Sequence, residues 1–340
     1  MNSYNPDRCS AQLINNSASR LHPNIVISRA PLRISFVGGG SDLPPGEGAT
    51  VSCAINKYVY VVAKWRNDER VIMNWRDKEN VKNVHALQHE LAREVLLYFG
   101  VHQGIEISTF ADVPGVGSGL GSSAATTVAL VQSVAALTGL WLDVHRLARM
   151  AVHIELERLK RRGGSQDQWI SAIGGLYLLL HKNGRCIDQT HLGLSPSHLA
   201  LLERHFALFS PPDTDVGRKA DTVLGSKDDN DESFRKCCEK VVDAFGSALK
   251  SDDWYECGNQ VSQHDKLKRS IFGEYYPRSG PELDKLGVHW KLCGAGGTGH
   301  VLVAVRPETR RKTVRSIEKI WGRELPWKIS EAGAVIIHAS

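Results

Sequence analysis

The amino-acid sequence predicts an α+β protein of two domains. Its 340 residues exceed the size of a typical single domain, so each half is long enough to bury its own core. Segments with strand-like and helix-like periodicity follow one another irregularly, without the alternation of a parallel α/β sheet. A stretch rich in Pro, Ser and Gly lies after residue 190. We therefore predict an irregular tail over 1–24, an N-terminal domain over 25–190 and a C-terminal domain over 191–340.

The N-terminal half combines β-branched alternation with several segments of helical spacing. Gly139 can end one helix, and Asp143 is a plausible N-cap for the next. In chain order, the patterns predict a strand or hairpin entering a glycine turn at 25–42, a strand at Asn56–Trp65, a helix at Val84–Gly100, a strand at Gly104–Pro114, helices from Ser122 to about Thr138 and from about Val144 to Lys160, and a hairpin at Gly174–Ile187.

The C-terminal half is predicted to contain fewer elements. Helical spacing occurs at Asp231–Leu249 and around 257–271, and a glycine-rich hairpin leads into a strand at 300–305. The chain contains no internal repeat.

The composition argues against several classes of protein. The excess of 42 Lys and Arg over 37 Asp and Glu is dispersed, which suits an anionic small molecule and is weak evidence for nucleic acid. No apolar run approaches the roughly 20 residues that cross a bilayer, and the N-terminal residues lack the apolar core of a secretory signal. The seven cysteines show no zinc-site spacing. We expect a cytoplasmic protein that binds neither nucleic acid nor membrane.

A loop rich in glycine and serine, "DVPGVGSGLGSSAATTVAL", occupies residues 112–130. Glycines at alternate positions let the backbone approach a phosphate, and Ser122 and Ser123 lie where a helix begins. The loop lacks the Gly-Lys dipeptide of a Walker A motif and the downstream acidic residue of a dinucleotide fingerprint. Two interpretations stay open: a site for a nucleoside triphosphate, or a capped helix packed against a strand.

Carboxylates follow this loop. The residues three, four, seven and eight positions before Glu155 are apolar, so Glu155 is predicted to face inward, whereas Glu157 is predicted at the surface with Arg161 as its ion-pair partner. A buried Glu155 requires compensation, either by Mg²⁺ or by an arginine. Asp167 lies in "GGSQDQW", where we expect a turn; such a residue either carries chemistry or makes local hydrogen bonds.

Three motifs in this chain resemble those of the GHMP kinases, the superfamily of galactokinase, homoserine kinase, mevalonate kinase and phosphomevalonate kinase. They are "RAPLRISFVGGGSD", "PGVGSGLGSSAA" and "KLCGAGGTGHVLV", which occur in the family's order. The combination of "VGGGSD", "IELER", "GGSQDQ" and "GAGGTG" is most similar to the kinases that phosphorylate D-glycero-D-manno-heptose 7-phosphate at C1. The resemblance implies an N-terminal domain like the second domain of ribosomal protein S5, a ferredoxin-like C-terminal domain, and Mg²⁺ and ATP bound between them.

The resemblance also implies roles for individual residues. Asp167 would activate the anomeric hydroxyl, and Arg33 would pair with Asp167. Glu155, with Ser122 or Ser123, would hold Mg²⁺. The ATP phosphates would be held by Gly115, Gly117, Ser118, Gly119, Leu120, Gly121, Ser122 and Ser123. The acceptor site would comprise Gly39, Gly40, Ser41, Asp42, Gln166, Arg218, Gly296 and Gly297, the last two packing against the phosphate loop.

The departures from the family pattern concern the acceptor. Galactokinase-like members carry Glu-His where this chain has Gly39 and Gly40, so the pocket has room for a larger sugar. The loop after Asp42 is shorter than is usual in heptose kinases. Arg218 either anchors a distal phosphate or is solvated surface charge.

Together these features predict a Mg·ATP-dependent sugar 1-kinase, with heptose 7-phosphate as the favoured acceptor, in the synthesis of a nucleotide-activated sugar. The alternatives are a kinase for an octose phosphate, fucose or a hexose, and a sensor that binds ATP and sugar without turnover. The enzyme could be a homodimer.

Overall fold

A long antiparallel strand pair organises the first sheet. The computed structural model describes residues 22–113, 117–211, 232–272, 279–294 and 299–340. Strand β1 (Ile25–Val37) pairs along most of its length with β2 (Glu47–Trp65). The expected strand at 56–65 is therefore only the second half of β2.

Strand β2 holds two different neighbours on its other edge. Its second half pairs with β5 (Ile105–Ala111), and its first half pairs with β6 (Leu176–Lys182). The remaining strands of this eight-stranded sheet are β3 (Val71–Asn74), β4 (Lys78–Val81), β7 (Arg185–His191) and β11 (Val335–Ala339). The predicted hairpin is thus confirmed as β6 and β7, joined by a turn at Asn183 and Gly184.

Helix α2 (Ser122–Leu137) packs against β1 and β2 and is buried on almost every side. A helix that is apolar all round is typical of a protein core. The predicted bounds are confirmed: Thr138 is the C-cap, and Gly139 follows with a left-handed φ of +84°.

Two predicted helices are each divided in the structure. The segment from Val84 forms a 3₁₀ turn (Val84–Ala86) and then α1 (Glu90–Tyr98), which begins after its N-cap His89. The segment from Val144 forms α3 (Val144–Val152) and continues as a π-helical turn (His153–Arg158). The Asp143 N-cap is confirmed, because its Oδ1 accepts a hydrogen bond from the Arg146 N–H at 2.8 Å. π-helical turns often occur at functional sites.

The C-terminal part contributes a second, three-stranded sheet in the order β8 (Phe206–Phe209), β10 (Val301–Ala304), β9 (Trp290–Leu292). The helices described after α3 are α4 (Gln166–Ile173), α5 (Pro196–His205), α6 (Glu232–Lys250), α7 (Trp254–Phe272), α8 (Gly280–Lys285) and α9 (Arg310–Glu318). The mixture of two sheets and packed helices confirms the α+β class. None of the helices in the described ranges is both long and apolar enough to span a membrane.

The two parts of the chain share a core. Phe36 at the end of β1 contacts Phe206 of β8 edge-to-face at 5.4 Å and stacks on Phe245 of α6 at 5.5 Å, measured between ring centroids. The last strand, β11, returns to the first sheet and pairs with β1. The boundary at residue 190 stays a prediction, and residues 335–339 belong to the N-terminal sheet.

We expect Asp143→Ala to lower the free energy of unfolding by about 1 kcal/mol, because the N-cap bond to Arg146 is lost. Urea denaturation measures the change. Asp143→Asn keeps an acceptor oxygen and is the matched control, so its free energy of unfolding should fall by only a fraction of that amount. An alanine variant as stable as the asparagine variant would contradict the cap's contribution.

Candidate active site

A bidentate ion pair joins β1 to the start of α4. The Arg33 Nε and Nη2 groups donate to Asp167 Oδ1 and Oδ2, each at 2.7 Å. The arginine side chain is 7% exposed and the carboxylate 24%, so one side of Asp167 is open to a ligand. Bidentate pairs of this kind fix both distance and orientation.

The expectation that Asp167 lies on a turn is wrong, because it occupies the first turn of α4. This helix has only eight residues, which is too short for helical periodicity to stand out in the sequence. The backbone of Asp167 therefore belongs to a regular helix and not to a turn.

The glycine-serine loop lies against this ion pair. Gly117, Gly119 and Gly121 all have left-handed φ angles, near +72°. Arg33 Nη1 donates to the Gly119 carbonyl at 2.6 Å, and a Cβ on Gly121 would lie 3.3 Å from Asp167 Oδ2. Gly121 is also the N-cap of α2, so the positive end of that helix dipole lies beside the pair.

The two serines at the start of α2 have different surroundings. Ser122 is buried and shares a 2.7 Å hydrogen bond with the Ser118 hydroxyl. Ser123 is exposed, and its Oγ donates to Glu155 Oε1 at 2.7 Å. Leu120 is fully buried; its N–H donates to Ser118 Oγ at 3.3 Å and its carbonyl accepts the Arg33 N–H at 3.0 Å, so it presents no free polar group to a ligand.

Glu155 faces inward, as its spacing predicted, and is 3% exposed. Burial raises the pKa of its carboxyl, while hydrogen bonds from Ser123 and Gln168 oppose that rise. The Arg161 Nη1 group lies 3.5 Å from Glu155 Oε1 and donates to Ser123 Oγ at 2.7 Å. Within the described ranges, the other amide atom of Gln168, Oε1, is buried without a hydrogen-bond partner.

These contacts indicate which residues could hold a divalent cation. No group of three His, Cys, Asp or Glu side chains that could hold a metal is found in the described part of the chain. Mg²⁺ in nucleotide sites commonly takes one or two carboxylates and completes its shell with phosphates and water. Ser123 and Glu155 fit that pattern, whereas the hydroxyl of the buried Ser122 is paired with that of Ser118.

The expected pair between Glu157 and Arg161 is wrong. Glu157 instead contacts His153 Nδ1 at 2.8 Å and Arg185 Nη2 at 2.7 Å, and Arg161 lies at Glu155. The count of four residues assumed a continuous α-helix, and the π-helical turn changes which side chains are neighbours. The buried glutamate therefore has the arginine neighbour that was the alternative to a metal.

The predicted acceptor residues lie around the turn after β1. Asp42 is 3% exposed, and its Oδ1 accepts the Gly40 N–H at 2.9 Å. Gly164 packs so closely on Asp42 that a Cβ would lie 2.0 Å from Oδ2. Gln166 accepts a hydrogen bond from Ser52, and a Cβ on Gly39 would lie 3.6 Å from Gln166 Nε2.

Ser41 does not present its hydroxyl to a ligand. Its side chain is buried and donates to the Gly38 carbonyl at 2.8 Å, and it also accepts the Ala49 N–H. These contacts make Ser41 a support for the turn, in place of the substrate contact that the motif suggested.

Three buried basic residues escaped sequence analysis. Lys291 Nζ donates to the Ser35 and Phe36 carbonyls at 2.7 and 3.0 Å and lies 3.2 Å from His264 Nδ1. His264 Nε2 lies 3.0 Å from the Gly39 carbonyl, and Lys268 donates to the Gly294 carbonyl. Burial lowers the pKa of Lys291 to about 7. Only its place at the start of the third motif marked Lys291 in the sequence.

The described residues at the two ends of the third motif pack on the glycine-serine loop. A Cβ on Gly119 would lie 2.3 Å from the Cys293 carbonyl oxygen, and His300 Nδ1 lies 2.7 Å from the Ser118 carbonyl. Four predicted site residues lie outside the described residues: Gly115, Arg218, Gly296 and Gly297.

Comparison with known proteins finds relatives of this chain. Residues 82–175 match the family described as the GHMP kinases N terminal domain. The chain is 27% identical to a D-glycero-alpha-D-manno-heptose 7-phosphate kinase from Campylobacter jejuni, over 90% of this chain and 97% of that protein. It is 26% identical to the mevalonate kinase of Pyrococcus abyssi, over 92% and 97%.

Solved structures share the fold at lower identity. The structure of a D-glycero-D-manno-heptose 1-phosphate kinase from Bacteroides thetaiotaomicron has a TM-score of 0.75 and 22% identity, over 93% of this chain and 99% of that one. The galactokinase of Lactococcus lactis, complexed with galactose, has a TM-score of 0.67 and 13% identity, over 96% and 97%.

We expect Gly119→Ala to destabilise the protein more than Gly193→Ala. Both glycines have left-handed φ angles, and a left-handed alanine costs about 1 kcal/mol. A Cβ added to Gly193 would have nothing within 4 Å of it, whereas one added to Gly119 would meet the Cys293 carbonyl, which should add about 1–3 kcal/mol. Equal losses in urea denaturation would contradict the close contact.

We expect Glu155→Gln to change how stability depends on pH. The folded protein raises the pKa of Glu155 above its ordinary value of 4.5, so this carboxyl's contribution to stability is fully present below 4.5 and is lost as pH rises through the folded pKa. The Tm of the variant should therefore rise relative to the Tm of the wild type as pH increases above 4.5. Glu308→Gln, at an exposed position, is the control, and a Tm difference independent of pH for Glu155→Gln would contradict the effect of burial.

Proposed function

We propose that this chain, whose residues 82–175 match the GHMP kinases N terminal domain and whose fold is shared with solved kinases, transfers the γ-phosphoryl group of ATP to the anomeric hydroxyl of a sugar. The acceptor that we propose is D-glycero-D-manno-heptose 7-phosphate. The Arg33–Asp167 pair beside the phosphate loop carries this proposal, because it sets an oriented, partly exposed carboxylate next to the helix N-terminus that would receive phosphate.

In this proposal Asp167 accepts a hydrogen bond from the anomeric hydroxyl and takes its proton as the oxygen attacks the γ-phosphorus. Arg33 keeps the carboxylate oriented and keeps the charge near the transferring group balanced. The glycines of the loop present backbone N–H groups to the phosphates, while Ser123 and Glu155 would hold Mg²⁺, which neutralises phosphate charge in such reactions. Positioning and electrostatics therefore account for catalysis.

The acceptor is inferred from the turn after β1. Gly39 and Gly40 place no side chains there, while the buried Asp42 is held by the Gly40 N–H. A seven-carbon sugar needs more room than a hexose. The similarity to a Campylobacter jejuni heptose 7-phosphate kinase over nearly the whole chain supports this acceptor.

An ADP-release assay tests the proposal. The panel is D-glycero-D-manno-heptose 7-phosphate, the same heptose without phosphate, fucose, galactose and mevalonate, and phosphorus NMR identifies the product. We expect turnover with the heptose 7-phosphate and a new phosphate on C1. Turnover with mevalonate alone, or phosphorylation away from C1, would overturn the proposed acceptor.

We expect Asp167→Asn to lower kcat by at least about 100-fold, because the amide cannot take the proton. ATP affinity, measured by calorimetry, should stay near that of the wild type, since Asp167 does not belong to the phosphate loop. Asp188→Asn, on the exposed strand β7, is the matched control and should leave kcat unchanged. Undiminished turnover in Asp167→Asn would remove this residue from the mechanism.

A further inference from the structure

The loop around Asp42 curves over a side chain from the C-terminal half of the chain. We call residues 41–46 the acceptor loop. Arg235 Nη1 donates to the Ser41 carbonyl at 2.9 Å and to the Leu43 carbonyl at 2.8 Å. These carbonyls belong to the residues on either side of Asp42, so one nitrogen atom holds the backbone of Asp42 from both sides.

The far end of the acceptor loop contacts the same guanidinium. Gly46 has a left-handed φ of +101°, and a Cβ there would lie 3.3 Å from Arg235 Nε. The Gly46 N–H donates to Asn183 Oδ1 at 2.9 Å, and the Asn183 N–H donates to the Gly46 carbonyl at 2.7 Å. The acceptor loop is therefore held between Arg235 and the turn that joins β6 to β7.

Arg235 reaches the acceptor loop because helix α6 packs along the turn after β1. A Cβ on Gly40 would lie 3.4 Å from Phe234 Cζ, and one on Gly38 would lie 2.9 Å from Val242 Cγ2. Residues eight positions apart lie on one face of a helix. The packing that places these two apolar side chains against the glycines also brings Arg235 to the two carbonyls.

A guanidinium suits two neighbouring carbonyls. A carbonyl can only accept a hydrogen bond, and Nη1 carries two N–H groups, one for each carbonyl. Hydrogen bonds from a charged donor are stronger than those between neutral groups. Ser41 and Leu43 are both buried, so the loss of this donor is costly for the loop. The conformation of the acceptor loop therefore depends on Arg235.

We propose that Arg235 is a positioning residue for the acceptor: it fixes the Asp42 carboxylate by holding the acceptor loop, and the acceptor sugar binds through Asp42. This rests on the proposed function, which assigns Asp42 to the acceptor. Asp42 Oδ1 accepts the Gly40 N–H at 2.9 Å, so a displaced loop would also separate the carboxylate from that donor. The contacts of Arg235 with the acceptor loop do not involve the glycine-serine loop, so ATP binding should not depend on them.

Hydrogen exchange measured by mass spectrometry tests the loop contact without any substrate. In the wild type the Ser41 N–H donates to the Gly38 carbonyl at 3.0 Å. Arg235→Met keeps an apolar side chain and removes the donors, so peptides covering residues 38–49 should exchange at least about fivefold faster. Peptides covering α2 should exchange at the wild-type rate.

Substrate binding tests the acceptor role. D-glycero-D-manno-heptose 7-phosphate and ATP are each titrated by calorimetry into the wild type, Arg235→Met and Arg235→Lys, and KM is measured for both. Arg235→Met should weaken binding of the heptose phosphate about tenfold and raise its KM by a similar factor, with Kd and KM for ATP unchanged. Arg235→Lys keeps a charged donor without the planar fork and should recover part of the affinity. A side chain that only stabilised the fold would not separate the two substrates.

The next residue of α6 supplies the matched control. Lys236 is exposed and pairs with Glu232 at 2.7 Å. Lys236→Met removes a cation from the same helix turn at an exposed position, so hydrogen exchange of the acceptor loop and affinity for the heptose phosphate should match those of the wild type. Thermal unfolding verifies that each variant is folded.

The outcomes separate this proposal from the proposed function. Unchanged exchange or unchanged affinity for the heptose phosphate in Arg235→Met, or equal weakening of the heptose phosphate and ATP, would overturn the positioning role while leaving the kinase assignment intact. A selective loss of affinity for the heptose phosphate, in a protein that releases no ADP with any acceptor of the panel, would support the positioning role and overturn the proposed function. A wild type that does not bind the heptose phosphate would overturn both.

Discussion

A buried arginine on β1 is the contact on which the site depends. Arg33 uses three of its nitrogens at once, two toward Asp167 and one toward the Gly119 carbonyl, and its backbone N–H donates to Leu120. A guanidinium buried without partners would cost several kcal/mol. Strand β1, the glycine-serine loop and helix α4 must therefore meet in one arrangement. The contacts that satisfy the buried arginine therefore also fix the position of Asp167 beside the glycine-serine loop.

A buried lysine links the C-terminal sheet to the turn after β1. Lys291 of β9 donates to two carbonyls at the end of β1 and lies against His264. The Gly39 carbonyl can only accept a hydrogen bond, so the proton of His264 must be on Nε2, and Nδ1 is left to accept from Lys291. Burial and the nearby lysines lower the pKa of His264 well below its usual value, in agreement with a neutral ring. The position of Gly39 is thus controlled from the other end of the chain.

The features that could be predicted from the sequence are those determined by residues close together in the chain. Asp143 caps a helix because of its own side chain, and Glu155 is buried because of the residues within two turns of it. The motif resemblance placed Arg33 with Asp167, two residues that the structure brings to 2.7 Å. The roles proposed for these site residues stay predictions. What the sequence missed depends on distant parts of the chain. The first half of β2 is a strand because β6 pairs with it, and Lys291 is buried because the end of β1 offers carbonyls to it.

Several locally unfavourable features of this chain lie close together, and their clustering points to a functional site. Gly117, Gly119 and Gly121 adopt left-handed backbone within five residues, and Glu155 is buried with a raised pKa one hydrogen bond away from the same helix start. A loop selected only to begin a helix needs neither feature, since a serine or aspartate cap achieves that, as Asp143 does for α3. Both features become useful when a phosphate chain and its cation occupy the loop. Clusters of locally unfavourable features are expected at binding and catalytic sites, and this cluster lies next to Asp167.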